Sequence, residues 1–140
     1  VNTLRIKNKI FSKLKEKLTS ISVSKDIKDL LTGAKQKVVV FYSGDSATTF
    51  NETNQRFKVD YDFQILIDTR NLKSDDEALD LRDSIVSALH GLKVDEIDSY
   101  DERIFYQSSR FEEFAPDTGI WTHKLVFRIK RDLFIATENL

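Results

Sequence analysis

The chain contains no cysteine, a single proline and four glycines. Without cysteine there are no disulfides, thiolate metal centres or cysteine nucleophiles. The glycines Gly33, Gly44, Gly91 and Gly119 stand far apart, whereas a phosphate-cradling loop needs several close together ahead of a helix with a lysine. Nucleotide binding through such a motif is excluded. No apolar run reaches the roughly 20 residues of a membrane-crossing helix, and the basic stretch from Val1 to Lys17 lacks the apolar core of a signal peptide. The expected compartment is the cytosol. The two histidines, His90 and His123, are far apart, and neither has a nucleophile beside it in sequence. An excess of charge of one sign is also missing: 22 Lys and Arg face 23 Asp and Glu, for a net charge of −1. No global field draws this protein to nucleic acid or to an anionic membrane.

What is present fits one folded domain spanning residues 1–140. Hydrophobic residues make up 40% and charged residues 32% of the 140 positions, well away from the composition of disordered chains. The charge is segregated. Residues 1 to 37 hold ten cations (Arg5, Lys7, Lys9, Lys13, Lys15, Lys17, Lys25, Lys28, Lys35, Lys37) against Glu16, Asp26 and Asp29, a local balance of +7 that leaves −8 for the remainder. A solvated lysine face accounts for part of this, and attraction between copies of the chain, or to phosphate or a membrane surface, is the functional counterpart.

Periodicity orders the elements. Leu4, Ile10, Phe11, Leu14, Leu18 and Ile21 predict a basic amphipathic helix over about 3–18. Ile21 and Val23 alternate like a brief strand, and Asp26 to Leu31 has the makings of a helical turn before Gly33. Val38 to Tyr42 reads as a strand buried on both faces, at the start of a core running over about 38–131. The polar stretch from Asp45 to Gln55, with Phe50 its one large apolar residue, is expected to be a mobile loop. Phe57, Val59, Tyr61, Phe63, Ile65 and Ile67 then alternate with polar residues as a half-buried strand. Ser74 with Glu77 forms a capping box opening a helix whose stripe is Ala78, Leu81, Ile85, Ala88 or Leu89, and Leu92, with Gly91 ending it. An acidic connection from Val94 to Asp101 leads to a strand over Arg103 to Phe114, with a bulge near Ser108. Pro116 to Gly119 is a hairpin turn into a last strand over about 120–131, with Trp121, His123, Leu125, Phe127 and Ile129 on one face. The expected class is α+β: a mainly antiparallel four-stranded sheet with helices packed on one face.

Candidate chemistry is sparse. Asp60 and Asp62 project from one strand face with Asp68 further along, the arrangement of some metal or acid pairs, yet Lys58 and Gln64 share the face and a solvated surface explains it. Asp75, Asp76, Glu77 and Asp80 are explained by the positive end of the helix dipole, and His90 by its negative end. His123 reads as a hydrogen-bonded core or interface imidazole. Pro116 and Asp117 match the start of a metal nuclease signature, but the acid-x-Lys that should follow is absent, with Thr122 two residues before Lys124. Aromatic residues at strand spacing read as core rather than as a base-stacking platform. The cationic cluster Lys124, Arg128, Lys130 and Arg131 stands out as a candidate interaction surface.

Several local signatures, in order and spacing, resemble the tail-terminator (tail completion) family of Mu-like contractile phages and prophages. They are Val40-Phe41-Tyr42-Ser43-Gly44, Gln55-Arg56, Arg70-Asn71-Leu72, Ala88-Leu89-His90-Gly91-Leu92 and Gly119-Ile120-Trp121, spread over Val38 to Ile129. The proline common in that family ahead of the first strand is replaced by Lys37, and His123 stands where an aromatic is usual. The resemblance implies a structural virion protein, assembled in the host cytoplasm, with no catalytic residues, cofactor or metal. It implies a homohexameric ring at the tail–neck junction that caps the tail tube, stops elongation of tube and sheath, and forms the head–tail joining surface, with the tail tube protein, the sheath and neck or connector proteins as partners. Asp45, Phe50, Asn54 and Arg56, with Lys124, Arg128, Lys130 and Arg131, are then the candidate contacts to the tube or a neighbouring subunit. The alternatives are a head-completion or neck connector protein and a small nucleic-acid-binding domain using the basic first helix and the Lys124 to Arg131 cluster.

Overall fold

A computed structural model describes residues 3–26, 36–51, 56–94 and 103–135, with side chains except at 48–51, 56–58 and 130–135. In chain order the elements are α1 (Thr3–Lys17), β1 (Ser22–Ser24), β2 (Gln36–Asn51), β3 (Arg56–Arg70), α2 (Asp76–Leu89), β4 (Ile104–Ala115) and β5 (Ile120–Ile135). Residues 27–31 of the expected helical turn, the acidic connection after Val94 and Asn54 lie outside the described residues.

The strands form one sheet in the order β1-β2-β3-β5-β4. This corrects the four-stranded antiparallel expectation, because β1 adds a fifth strand parallel to β2, pairing Ser22–Ser24 with Lys37–Val39. Three residues are too few for alternation to separate a strand from a turn, and strand direction has no local signature. The other pairings are antiparallel. Central β3 turns Val59, Tyr61, Phe63, Ile65 and Ile67 toward the helices, where all five are buried. Opposite them in register stand Val40 and Val38 on β2 and Ile129, Phe127, Leu125 and His123 on β5. Both helices lie on this face. α1 buries Ile6, Ile10 and Leu14 and packs on β1 and β2; α2 buries Ala78, Leu81, Ile85 and Leu89 and packs on β3, β4 and β5. At 15 residues α1 is marginal as an isolated helix, so its stability comes from this docking.

The expected loop after Gly44 is instead strand. β2 continues to Asn51 and stays paired with β3 out to Asn51↔Arg56, with register shifts at Tyr42/Gly44 and Thr49/Asn51. β5 likewise follows β3 to Ile135. Threonine and asparagine disguise the segment as a loop, whereas its pairing comes from the neighbouring strand rather than from a hydrophobic pattern of its own. The aromatic residues are also less uniformly buried than their spacing implies: Tyr42, Phe105 and Phe111 are exposed.

The second helix begins one residue later than the capping box requires. Asp75 occupies the cap position without a side-chain cap bond, and Ser74 Oγ accepts from the Asp76 N–H at 3.4 Å. The cause lies upstream. Asn71 Oδ1 accepts from the backbone N–H groups of Lys73 at 2.8 Å and Ser74 at 3.3 Å, winding residues 71–74 into a turn of their own. Asn71 also binds the β4–β5 turn: its N–H donates to the Gly119 carbonyl, and its own carbonyl accepts from Trp121 Nε1, both at 2.8 Å. Gly119 has φ +71°, and a Cβ there would meet Leu72 Cδ2 at 2.8 Å. At the other end of α2, Gly91 at φ +81° donates to the Ile104 carbonyl and Ile104 donates back to Leu92.

Gly119→Ala combines a left-handed backbone with a side-chain overlap, and is expected to lower stability by about 2 kcal/mol. Urea denaturation checks this; an unchanged midpoint would refute the account of the turn.

Candidate functional site

Strand pairing brings together members of two candidate groups, with Arg56 and Lys130 74 positions apart in sequence. β4 pairs with β5 only as far as Ile129, opposite Ile104. Beyond it, β2, β3 and β5 continue as a three-stranded extension. Asp45 stands opposite Tyr61, Arg56 opposite both Asn51 and Ile135, and Phe50 falls within the irregularity that closes the hairpin. Lys130 and Arg131 lie on the same extension, at the register shift between Tyr61↔Ile129 and Val59↔Asp132. Asp45 is oriented by Tyr42, whose hydroxyl donates to its carboxylate. That hydrogen bond, helped by burial and by the charges of Asp45 and Asp62, pushes the phenol up to about 12.

Lys124 and Arg128 occupy the sheet face turned away from the helices, and there the expected cationic cluster is partly neutralised. Arg128 is bound by Asp62, its register neighbour. The guanidinium donates from Nε to Oδ1 at 2.7 Å and from a terminal nitrogen to Oδ2 at 3.1 Å, a fork that fits a carboxylate in two places. This hydrogen bonding raises Arg128 above its ordinary range. Lys124 stands opposite Arg110 in register, and Arg110 Nε donates to Glu112 at 2.9 Å. The Asp60–Asp62 face is therefore one of cross-strand pairs, with Asp68 accepting from the Thr122 hydroxyl at 2.7 Å. Among the described residues no three His, Asp or Glu side chains gather as a metal site.

The histidines brace the fold. His90 caps α2, and its Nδ1 accepts from the Tyr106 N–H at 3.1 Å, tying the helix end to β4. His123 lies buried with its ring edge-on to Phe111 at 5.6 Å. Its Nδ1 is buried without a hydrogen-bond partner among the described residues, so the expected hydrogen-bonded imidazole is not what forms at this nitrogen. Phe111 of β4, the register neighbour of His123, packs on the ring and offers this nitrogen no hydrogen bond. Burial pushes His123 below its ordinary 6.5, with Asp75 opposing and Arg82 reinforcing the shift.

A second feature escaped motif reading. Lys7, Phe11 and Lys15 of α1, with Val23 to Asp26 and Phe41, line an open groove of about 770 Å³. The ammonium groups of Lys15 and Lys25 sit 5.4 and 5.2 Å from the centre of the Phe11 ring. Its only sequence signal is the lysine-rich first helix itself.

No family model matches the sequence, and no curated protein matches it. Among solved structures, a chain from the virion of a native gene transfer agent particle has a similar fold, with a TM-score of 0.59 and 13% sequence identity. The match covers 87% of this chain and 90% of that one.

A double-mutant cycle with Asp62→Ala and Arg128→Ala is expected to give a coupling energy of about 1 kcal/mol, the upper end for a partly exposed pair, owing to the two-point geometry. A coupling near zero would show the pair to be incidental. For His123 the folded state binds the proton more weakly than the unfolded state. Stability is therefore fully present above pH 6.5 and declines as pH falls below it. His123→Phe is expected to remove this decline and, by deleting a buried unpaired nitrogen, to add about 1 kcal/mol at neutral pH. Chemical denaturation across pH tests both; an unchanged acid limb would refute the assignment.

Proposed function

We propose that this chain is a structural component of a phage-like virion, and that within it the chain is the tail terminator: a ring of copies seated on the finished end of the tail tube. The observation that carries the reading is the fold shared with a gene transfer agent virion chain over nearly the full length of both. It is supported by the ordered local signatures from Val38 to Ile129, which resemble the tail-terminator family. In this reading the protein works by binding and not by catalysis, its partners being itself, the tail tube protein, the sheath and the neck proteins.

The extension of β2, β3 and β5 suits contact with the tube. A paired three-stranded blade holds its contact residues with less freedom than a loop, so less ordering entropy is lost on binding. Asp45, Phe50, Arg56, Lys130 and Arg131 belong to that blade. Lys124 and Arg128 lie outside that blade, nearer the body of the sheet and on the face turned away from the helices. The pairing of Arg128 with Asp62 weighs against a nucleic-acid function, since phosphate binding would have to displace a two-point carboxylate.

The experiment is to mix the purified protein with isolated tail tubes and follow mass by light scattering and form by negative-stain electron microscopy. A ring on one end of the tube is the expected result. A monomer that ignores tubes overturns the terminator assignment in favour of a neck component or a nucleic-acid binder. A DNA titration then separates those two, because phosphate contacts give a steep loss of affinity with salt.

A further inference from the structure

The two helices share one face of the sheet but carry opposite charge. α1 has Arg5, Lys7, Lys9, Lys13, Lys15 and Lys17 against Glu16, a balance of +5; α2 has Asp76, Glu77, Asp80 and Asp83 against Arg82, a balance of −3. Because α1 packs on β1 and β2 and α2 on β3, β5 and β4, the sign reverses along the strand order. A chain with a net charge of only −1 is thus basic at one side and acidic at the other, a distribution that favours head-to-tail attraction between identical molecules.

Both sides also combine charge with apolar surface. At the basic side, Lys7, Lys15 and Lys25 rim the groove whose apolar surface is Phe11, Val23 and Phe41. At the acidic side, Asp76, Asp80 and Asp83 are exposed at positions that fall on one helical stripe. Leu79, 39% exposed, lies on that same stripe. An apolar side chain among carboxylates is the counterpart of an aromatic ring among ammonium groups.

We propose that the α2 stripe of one copy docks into the α1 groove of the next, with Leu79 against Phe11 and Phe41 and the aspartates against Lys7, Lys15 and Lys25. This rests on the ring reading above and names the surfaces that build it. Such a contact is heterologous, so a chain of copies keeps one unused groove at one end and one unused stripe at the other; addition continues until the rotation per subunit closes a ring. A polyanion in the groove would leave the Leu79 stripe without a role, and a second copy uses both.

The test is a charge exchange. Variant one carries Lys7→Glu and Lys15→Glu; variant two carries Asp80→Lys and Asp83→Lys, leaving the first helical turn intact. Sedimentation at low salt is expected to show self-association of the wild type that weakens as salt is added. Each variant alone should associate at least about tenfold more weakly, since like charges then face each other. An equimolar mixture should regain association to within a few-fold of wild type, because the acidic groove of one variant meets the basic stripe of the other. Circular dichroism establishes that each variant is folded, and the single exchanges Lys15→Glu and Asp80→Lys replace any that is not. A monomeric wild type, variants that associate normally, or a mixture of folded variants that stays dispersed overturns the proposal. Variants that still form wild-type rings on tubes would remove this interface and leave the tail reading standing. A restored mixture that ignores tubes would do the reverse.

Discussion

The fold depends on the burial of one face of β3. Val59, Tyr61, Phe63, Ile65 and Ile67 face the helices from the middle of the sheet, and each meets a cross-strand neighbour on β2, β5 or both. A strand flanked on both sides has its backbone groups satisfied by pairing, so its alternating face is free to act as the floor of the core. The helices add the roof: Ile10 and Leu14 from α1, and Leu81, Ile85 and Leu89 from α2, join the same apolar cluster. Truncating any one of these buried large residues to alanine falls in the range of about 2–5 kcal/mol, a large share of the stability of a domain this size.

With that core in place, the signatures around Asn71, His90 and Trp121 turn out to be joints. Asn71 and Leu72 meet Gly119 and Trp121, locking the entry to α2 against the β4–β5 turn. His90 and Gly91 meet Tyr106 and Ile104, locking the exit from α2 against β4. Both joints demand particular residues for steric or hydrogen-bonding reasons: a positive φ at each glycine, a side-chain amide that bridges two N–H groups, an indole that reaches a carbonyl. They set the architecture. The surfaces available for partners lie elsewhere, on the three-stranded extension, the α1 groove and the outer stripe of α2.

Charge acts at two ranges here. Asp62–Arg128 and Asp68–Thr122 are short cross-strand bonds that pin the register of β3 against β5, where a one-residue slip would turn the core face outward. The segregation of α1 from α2 acts over the width of the molecule, where it steers how a second molecule approaches. Neither effect is visible in the net charge, which is close to zero because the two halves cancel.

Periodicity alone determined the two helices, the buried faces of β3 and β5, the bulged strand before Pro116 and the turn after it, because each is set by neighbours within a few residues. Composition alone determined the contrast between a basic first helix and an acidic remainder. Only the tertiary structure decided that β1 pairs parallel to β2, that residues 45–51 are strand, and that Arg128 is held by a carboxylate 66 positions away. It also decided that Asn71 displaces the capping box by one residue and that His123 Nδ1 has no hydrogen-bond partner among the described residues. The division has one physical cause. A strand receives its hydrogen bonds from another part of the chain, and a charge finds its partner in space, so neither pairing leaves a mark in the adjacent residues.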